Sequence, residues 1–415
     1  MSDCLRLFSD KRIILILIYI ASVVMAAHYS FTTNYLTVQD AYHEYQIYLS
    51  NINIGWLATL EKYKALNMPL QALCLMTTLF PAWIQKITGF APLMFYKIYI
   101  IALVSLLPVA VYLAAEIIIG KWAIISSGLV MAQTAFIQAP SMGRTVIAIS
   151  LFGFMVYALY KVPAKRYLYP MLAILACLMV WTHYTTMIIS ATILCGGVLF
   201  IRKKELGKWF AVLVAIVILA GFGIGWYGKA LYYPVRQIAQ TFILQDLNRL
   251  LPKTMVDNGE KNGEKVVIKY NDSGNAPEDK CKVIQAALGN KNPDADGKFQ
   301  FNWWLWGMSW LMVGITGFGC LMRLIKRDIP WGLLAMSFVA SMWMVVFFLL
   351  PYISRAYGIE RLWVNALVLL SPMFVLGFRS LTRWSGKYQV AIVITFILAL
   401  GILNNNYGVI WTALG

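Results

Sequence analysis

Charge is scarce in this chain: 13% of its 415 residues are charged and 60% are hydrophobic. A soluble enzyme is excluded on that ground, because so little polar surface cannot cover a globular domain of this size. Acidic residues are scarcer still, 18 against 35 Lys and Arg, and there are three histidines. Of the six cysteines, Cys74, Cys177, Cys195 and Cys320 lie in apolar stretches, where a thiol behaves as a small hydrophobe. Cys281 has no evident extramembrane partner, so no disulfide framework is expected. There is no Walker loop, dinucleotide fingerprint, His-Glu-x-x-His helix or Gly-x-Ser-x-Gly elbow, which takes support from nucleotide-driven transport and the common hydrolases. No internal repeat is found, which counts against transporters built from repeated halves.

What the chain has instead is long apolar runs, each near the roughly 17 to 25 residues that cross a bilayer. They lie at about 13–28, 92–117, 121–139, 144–161, 167–182, 184–202, 208–228, 303–323, 329–352, 361–379 and 388–404. The expected fold is therefore all-α, a polytopic membrane protein with about 11 transmembrane helices. The first run follows Lys11 and Arg12 and has no small-residue cleavage site behind it, so it reads as a retained anchor. Segment 68–85 is apolar but short and carries Pro69 and Pro81. Counting it as a span puts Lys161 to Arg166 and every later basic loop on the wrong side of the positive-inside rule. Placed as a re-entrant or interfacial helix in the first outer loop (29–91), it leaves the N-terminus cytoplasmic and the C-terminus outside. The net charge of +17 is then a cytoplasmic excess that needs no nucleic acid.

This topology divides the chain into an N-terminal catalytic module (1–228), an extracytoplasmic loop (229–302) whose start reads as an amphipathic interfacial helix, and C-terminal spans (303–415). It also gathers ionisable residues on the outer face. Asp40 and Glu44, four apart, would share one face of a helix with His43 beside them, a pair able to bind a cation or take a proton from a hydroxyl; the alternative is a solvated helix face. Arg144 opens a span from a Pro/Gly turn, where a helix N-terminus and a guanidinium together suit phosphate, or else it snorkels to the headgroups. His183 and Tyr184 sit in a very short outer turn, His183 as metal ligand, proton carrier or backbone-bonded interfacial residue. Arg355, Tyr357 and Arg361 occupy another outer loop, where the arginines would clamp a phosphate or pair with Glu360. Glu116 is expected to pair with Lys121 or to snorkel.

The first span followed by an outer loop with Asp40 and Glu44, the outer segment 68–85 before Ile87-Thr88-Gly89, and the re-entry at Arg144 resemble the GT-C superfamily of integral membrane glycosyltransferases and its uncharacterised archaeal-type membrane branch. The resemblance covers most of the chain as topology, through short motifs. It implies a polyprenyl-phosphate or diphosphate sugar as donor, a glycan, lipid or protein acceptor, and a reaction at the extracytoplasmic face of the plasma membrane. Asp40 would be general base or metal ligand with Glu44 assisting, a divalent Mg or Mn ion being an optional cofactor, and Arg144, Arg355 and Arg361 would hold the donor phosphate. Two other readings stay open. An outer-leaflet glycan polymerase or ligase would rely on the arginines and His183. A lipid-linked sugar flippase would need polar residues along the middle of the spans, and those stretches are mostly aliphatic and aromatic.

Overall fold

The computed structural model describes residues 10–33, 36, 39–65, 69–161, 167–198, 206–223, 226–227, 290–293, 299–301, 303–326, 330–349 and 359–400. They are helical, apart from a short antiparallel ribbon in which Asn290–Pro293 pairs with Phe299–Phe301. Helices lie on every apolar run read from the sequence. Four stretches are long and apolar enough to cross a membrane: Lys11–Thr32, Pro92–Met131, Ala139–Lys161 and Arg361–Leu381. The chain is a helical membrane protein.

Helix α1 (Lys11–Thr32) is capped by the Asp10 carboxylate, which accepts from the Arg12 amide at 2.8 Å. It turns Ile16, Leu17, Ile20 and Val24 outward. In water such a face would be a liability; in a bilayer it is the lipid-facing side. The segment after α1 then folds as α2 (Gln39–Ile54), α3 (Trp56–Ala65), the single turn α4 (Pro69–Ala72) and α5 (Leu75–Thr88). At 14 residues α5 is about 21 Å long, well short of a hydrocarbon core of about 30 Å. It packs on α2, and Trp83, Ile84 and Ile87 face outward.

Helices α6 (Pro92–Val104) and α7 (Leu106–Ile119) run on through a turn at Ser105. Lys97 on α6 donates to the Ser30 carbonyl at 2.8 Å, satisfying an end carbonyl of α1. Glu116 on α7 pairs with Lys11 at 2.5 Å, and the expected partner Lys121 is not the one used. The pairing brings together residues 105 positions apart in sequence, which local spacing cannot reveal. The continuous span expected over 121–139 is also corrected. It is broken into α8 (Ala123–Met131) and α9 (Thr134–Ile137), with a 3-10 turn at Ala139–Met142 beyond them. Gln133 at the break donates to the Leu129 carbonyl at 3.0 Å and accepts from the Trp363 indole at 3.2 Å. A polar side chain thus holds the interruption to a distant helix.

From that turn rises α10 (Gly143–Lys161), at the centre of the molecule: 89% of its span window is buried, against 28% for α1. Around it stand α11 (Leu168–Val180), α12 (Tyr184–Val198) and α13 (Leu206–Val217), the last continuing as one π-helical turn, Ile218–Phe222. The C-terminal helices are α14 (Trp303–Lys326), α15 (Trp331–Leu349), α16 (Ile359–Leu381) and α17 (Gln389–Leu400). Helices α14 and α16 meet backbone to backbone. A Cβ on Gly319 would run into the Met373 carbonyl, and one on Gly377 into the Ile315 carbonyl. Where lipid is as apolar as leucine, such close approach supplies the dispersion contact that hydrophobic exclusion does not.

Candidate functional site

Helix α2 contains positions 40 and 44, so the helix that their spacing supposes is present. Tyr48, one turn beyond Glu44, fixes the register. Its ring packs against those of Tyr45 and Tyr96 at 5.8 and 4.9 Å, and its hydroxyl donates to the Pro92 carbonyl at 3.1 Å. The face of α2 that carries Glu44 is thereby turned inward. Glu44 is 2% exposed and Arg144 is 4% exposed, and the Arg144 Nε stands 3.3 Å from Glu44 Oε1. Neither the solvated face weighed for Glu44 nor the snorkelling arginine weighed for Arg144 describes this pair. Gly143 makes it possible. A Cβ there would lie 3.2 Å from Ile100 Cγ2 and 4.0 Å from Glu44 Oε2, so a larger residue would crowd the Ile100 side chain beside the carboxylate.

Such a pair survives in a dry interior only as a unit. Desolvating each ion costs several kcal/mol, which their attraction offsets, and removal of one partner leaves about 3 to 5 kcal/mol uncompensated. An ion pair this costly adds little to stability. At the mouth of α10 the pair is therefore a candidate for function rather than for stability.

Cys74 lies at the break between α4 and α5, fully buried, with its sulfur 3.9 Å from the Tyr227 hydroxyl. Burial pushes the thiol up to about 11, with the Arg144 guanidinium pulling weakly the other way. Cys74 therefore stays a thiol beside the ion pair. Tyr227 donates to the Val180 carbonyl at 2.6 Å. Cys74 and Tyr227 were not among the residues singled out from sequence. A lone cysteine in an apolar run and a tyrosine at the end of one carry no local signal.

His183 sits between α11 and α12, 2% exposed. Its Nδ1 accepts from the Thr186 amide at 3.2 Å and lies 2.8 Å from the Thr186 hydroxyl. The residue thus caps α12 in the manner usual for Ser or Asp. Burial, and then the positive charges of Arg144 and Arg361, hold its pKa well below the ordinary 6.5. Tyr184 packs its ring on His183 at 5.2 Å and on Tyr227 at 5.6 Å. Arg361 lies in the first turn of α16, half-buried.

The structure thus brings together Glu44, Arg144, His183 and Tyr184, with Arg361 in electrostatic reach. His43 is half-buried and packs against Tyr42 at 5.6 Å. The side chains of Asp40 and Glu360 lie outside the described residues, as do Arg355, Tyr357 and the amphipathic start of loop 229–302. Among the described residues no three of His, Cys, Asp and Glu gather as metal ligands. Of the pair expected to hold a divalent ion, Glu44 already has a guanidinium against its carboxylate, and that positive charge opposes a second cation there.

A family model described as "Predicted membrane protein (DUF2206)" matches residues 304–406. The match covers the C-terminal helices and includes Arg361, and it agrees with a membrane-embedded chain. No curated protein and no solved structure matches the sequence.

Proposed function

We propose that the protein is a GT-C-like glycosyltransferase that moves a sugar from a polyprenyl-phosphate or diphosphate donor to an acceptor hydroxyl at the extracytoplasmic face of the plasma membrane. In this reading the helices cross the bilayer about eleven times, N-terminus inside and C-terminus outside, with α5 lying in the outer interface. The observation that carries the reading is the buried Glu44–Arg144 pair. A carboxylate-bearing helix of the first outer segment meets an arginine at the head of the central helix, with His183 and Arg361 alongside.

The chemistry follows from the charges. The acceptor oxygen attacks the anomeric carbon, the bond from that carbon to the donor's phosphate oxygen breaks, and configuration inverts. Asp40 takes the hydroxyl proton as general base. Arg144 and Arg361 supply positive charge where the leaving phosphate gains negative charge. Glu44, engaged by Arg144, positions the guanidinium, a role that differs from the assistance to Asp40 expected from sequence. No step is routed through a divalent cation, since the guanidinium on Glu44 makes that carboxylate a poor ligand.

The glycan polymerase or ligase reading keeps one observation of its own: His183 lies under the influence of two arginines. The readings separate in one experiment. Purified protein in nanodiscs is given a radiolabelled polyprenyl-phosphate sugar, and Asp40→Asn, Glu44→Gln and Arg144→Lys are compared with wild type. The transferase reading expects Asp40→Asn to lose about 100-fold or more in kcat. Full turnover in Asp40→Asn would remove its base and leave the arginine-centred reading.

A further inference from the structure

Six aromatic side chains gather beside Cys74 and His183. Trp56 opens α3, Phe80 and Trp83 lie on α5, Trp181 follows α11, Phe222 ends the π-helical turn of α13, and Trp226 stands four residues further on. The Trp181 ring meets those of Phe80, Phe222 and Trp226 at 6.1, 6.3 and 6.3 Å, and Trp226 lies parallel to Trp56 at 6.4 Å. Hydrogen bonds tie the cluster to the ion-pair site. The Trp226 indole donates to the Leu73 carbonyl at 3.2 Å, next to Cys74, and the Met76 amide donates to the Trp181 carbonyl at 3.2 Å, two residues before His183.

Two donors in this cluster are unmet. The indole N–H groups of Trp56 and Trp181 are covered by protein and have no acceptor among the described residues. At a membrane interface an indole N–H ordinarily reaches water or a headgroup, which is what suits tryptophan to that depth. Here both are turned inward, where phenylalanine would supply a ring and leave no donor without an acceptor. An isoprenoid tail does not account for them, because hydrocarbon offers no acceptor. Nor does phosphate, since the six side chains carry no charge to hold one.

We infer that the cluster seats the sugar of the lipid-linked donor, an uncharged pyranose, with its C–H face on the rings and its hydroxyl oxygens on the N–H groups of Trp56 and Trp181. A pyranose has both surfaces, an apolar face and a rim of acceptors, and aromatic walls with a few placed donors match that combination. Trp83 and Phe222, 55% and 40% exposed, form the open edge, and side chains so exposed turn readily enough to admit a ring. Helix α13 reaches the cluster through its π-helical turn, an irregularity frequent at functional sites. The phosphate, one bond from the sugar, falls to the arginines next door. That the sugar is a donor's rests on the transferase reading; that the cluster takes a sugar does not.

Two measurements test this separately. Protein labelled with 5-fluorotryptophan in nanodiscs gives one fluorine resonance for each of its 15 tryptophans, and Trp56→Phe and Trp181→Phe assign two of them. Both should move when polyprenyl-phosphate glucose, mannose or galactose is added, and stay in place with polyprenyl phosphate alone. Equal movement with the bare lipid would give the cluster to the chain or its phosphate, and no movement with any of them would leave it without a ligand; either result overturns the inference. The movement is read on wild type, so it stands even where a variant fails to fold.

The second measurement is kinetic. Phenylalanine keeps a ring for stacking and removes the donor. Trp56→Phe and Trp181→Phe should each raise the donor KM about tenfold and hold kcat within about threefold. Two folded variants with the donor KM of wild type would sink the role of the N–H groups, whereas a purely structural role would lower the melting temperature and leave KM alone. If wild type transfers no sugar yet its fluorine resonances move only with the sugar-bearing lipids, the transferase reading fails and the sugar seat stands.

Discussion

Helices α10 and α16 are buried almost alike, 89% and 83% of their span windows, and each carries an arginine in its first turn. Their surroundings differ. Arg144 of α10 meets Glu44 in a dry contact, whereas Arg361 of α16 stays half-buried near the molecular surface. Helix α16 instead places its demanding contact in its last turns, where Gly377 lets it touch α14. Depth of burial alone therefore does not locate function in this molecule. A charge kept at depth is the candidate for function, because hydrocarbon gives little other reason to tolerate it, while glycine at depth is explained by packing alone.

The contrast breaks first at the ion pair. Arg144→Met leaves the Glu44 carboxylate buried without its guanidinium and should cost about 3 to 5 kcal/mol, and Glu44→Gln should cost a similar amount. The double variant Glu44→Gln/Arg144→Met should regain most of that stability while remaining inactive in sugar transfer. Thermal unfolding followed by size-exclusion fluorescence measures the first part. A double variant that loses the sum of the two single losses would show that the two side chains do not act as a unit.

At the other helix, Gly377→Val should separate α14 from α16 at a cost of about 1 to 3 kcal/mol or more, since the obstacle is backbone and cannot rotate away. Gly314→Ala on the same α14 meets nothing within 4 Å and should be neutral or slightly stabilising. Equal melting temperatures for the two variants would mean that the α14–α16 approach is not as close as described. Nearer the start of α16, Asn365 is fully buried, and its carboxamide forms no hydrogen bond among the described residues. Asn365→Leu should then gain about 1 to 2 kcal/mol with transfer unaffected. If stability rises and activity vanishes, Asn365 belongs to the site, and α16 contributes more than packing.

The fold was legible in sequence where hydrophobicity alone decides it. Each apolar run contains a helix, because a bilayer requires the backbone to satisfy itself. Breaks were not legible: the interruption at Ala132–Gln133 is held by Trp363, 230 positions away. Of the site, sidedness brought Glu44, Arg144, His183 and Arg361 onto one list, and spacing gave position 44 a helix. Pairing was beyond reach. Asp40 is Glu44's neighbour in sequence, whereas the partner of Glu44 in the interior is Arg144, one hundred positions on in the chain. Glu116 repeats the lesson with Lys11. Cys74 and Tyr227 were missed because their role comes only from what surrounds them.

The smallest effect is the dependence on pH, and its sign is fixed by which state binds the proton. Folded His183 has a pKa held well below 6.5 by burial and by Arg144 and Arg361, whereas the unfolded residue titrates near 6.5. Below that value the unfolded chain takes up a proton that the folded protein refuses. Stability is therefore undiminished by this group above about pH 7 and falls as pH drops through the unfolded value. One such group gives a slope of at most about 1.4 kcal/mol per pH unit, so the loss at pH 5.5 is about 1 kcal/mol. His183→Asn keeps the cap and removes the titration, so its melting temperature should fall less than wild type between pH 7 and 5.5. Parallel losses in the two proteins would assign the acid sensitivity to carboxylates. His183 would then be a histidine free to charge where it stands, and the distinction between a dry α10 end and a wetter α16 end would fail at the residue lying between them.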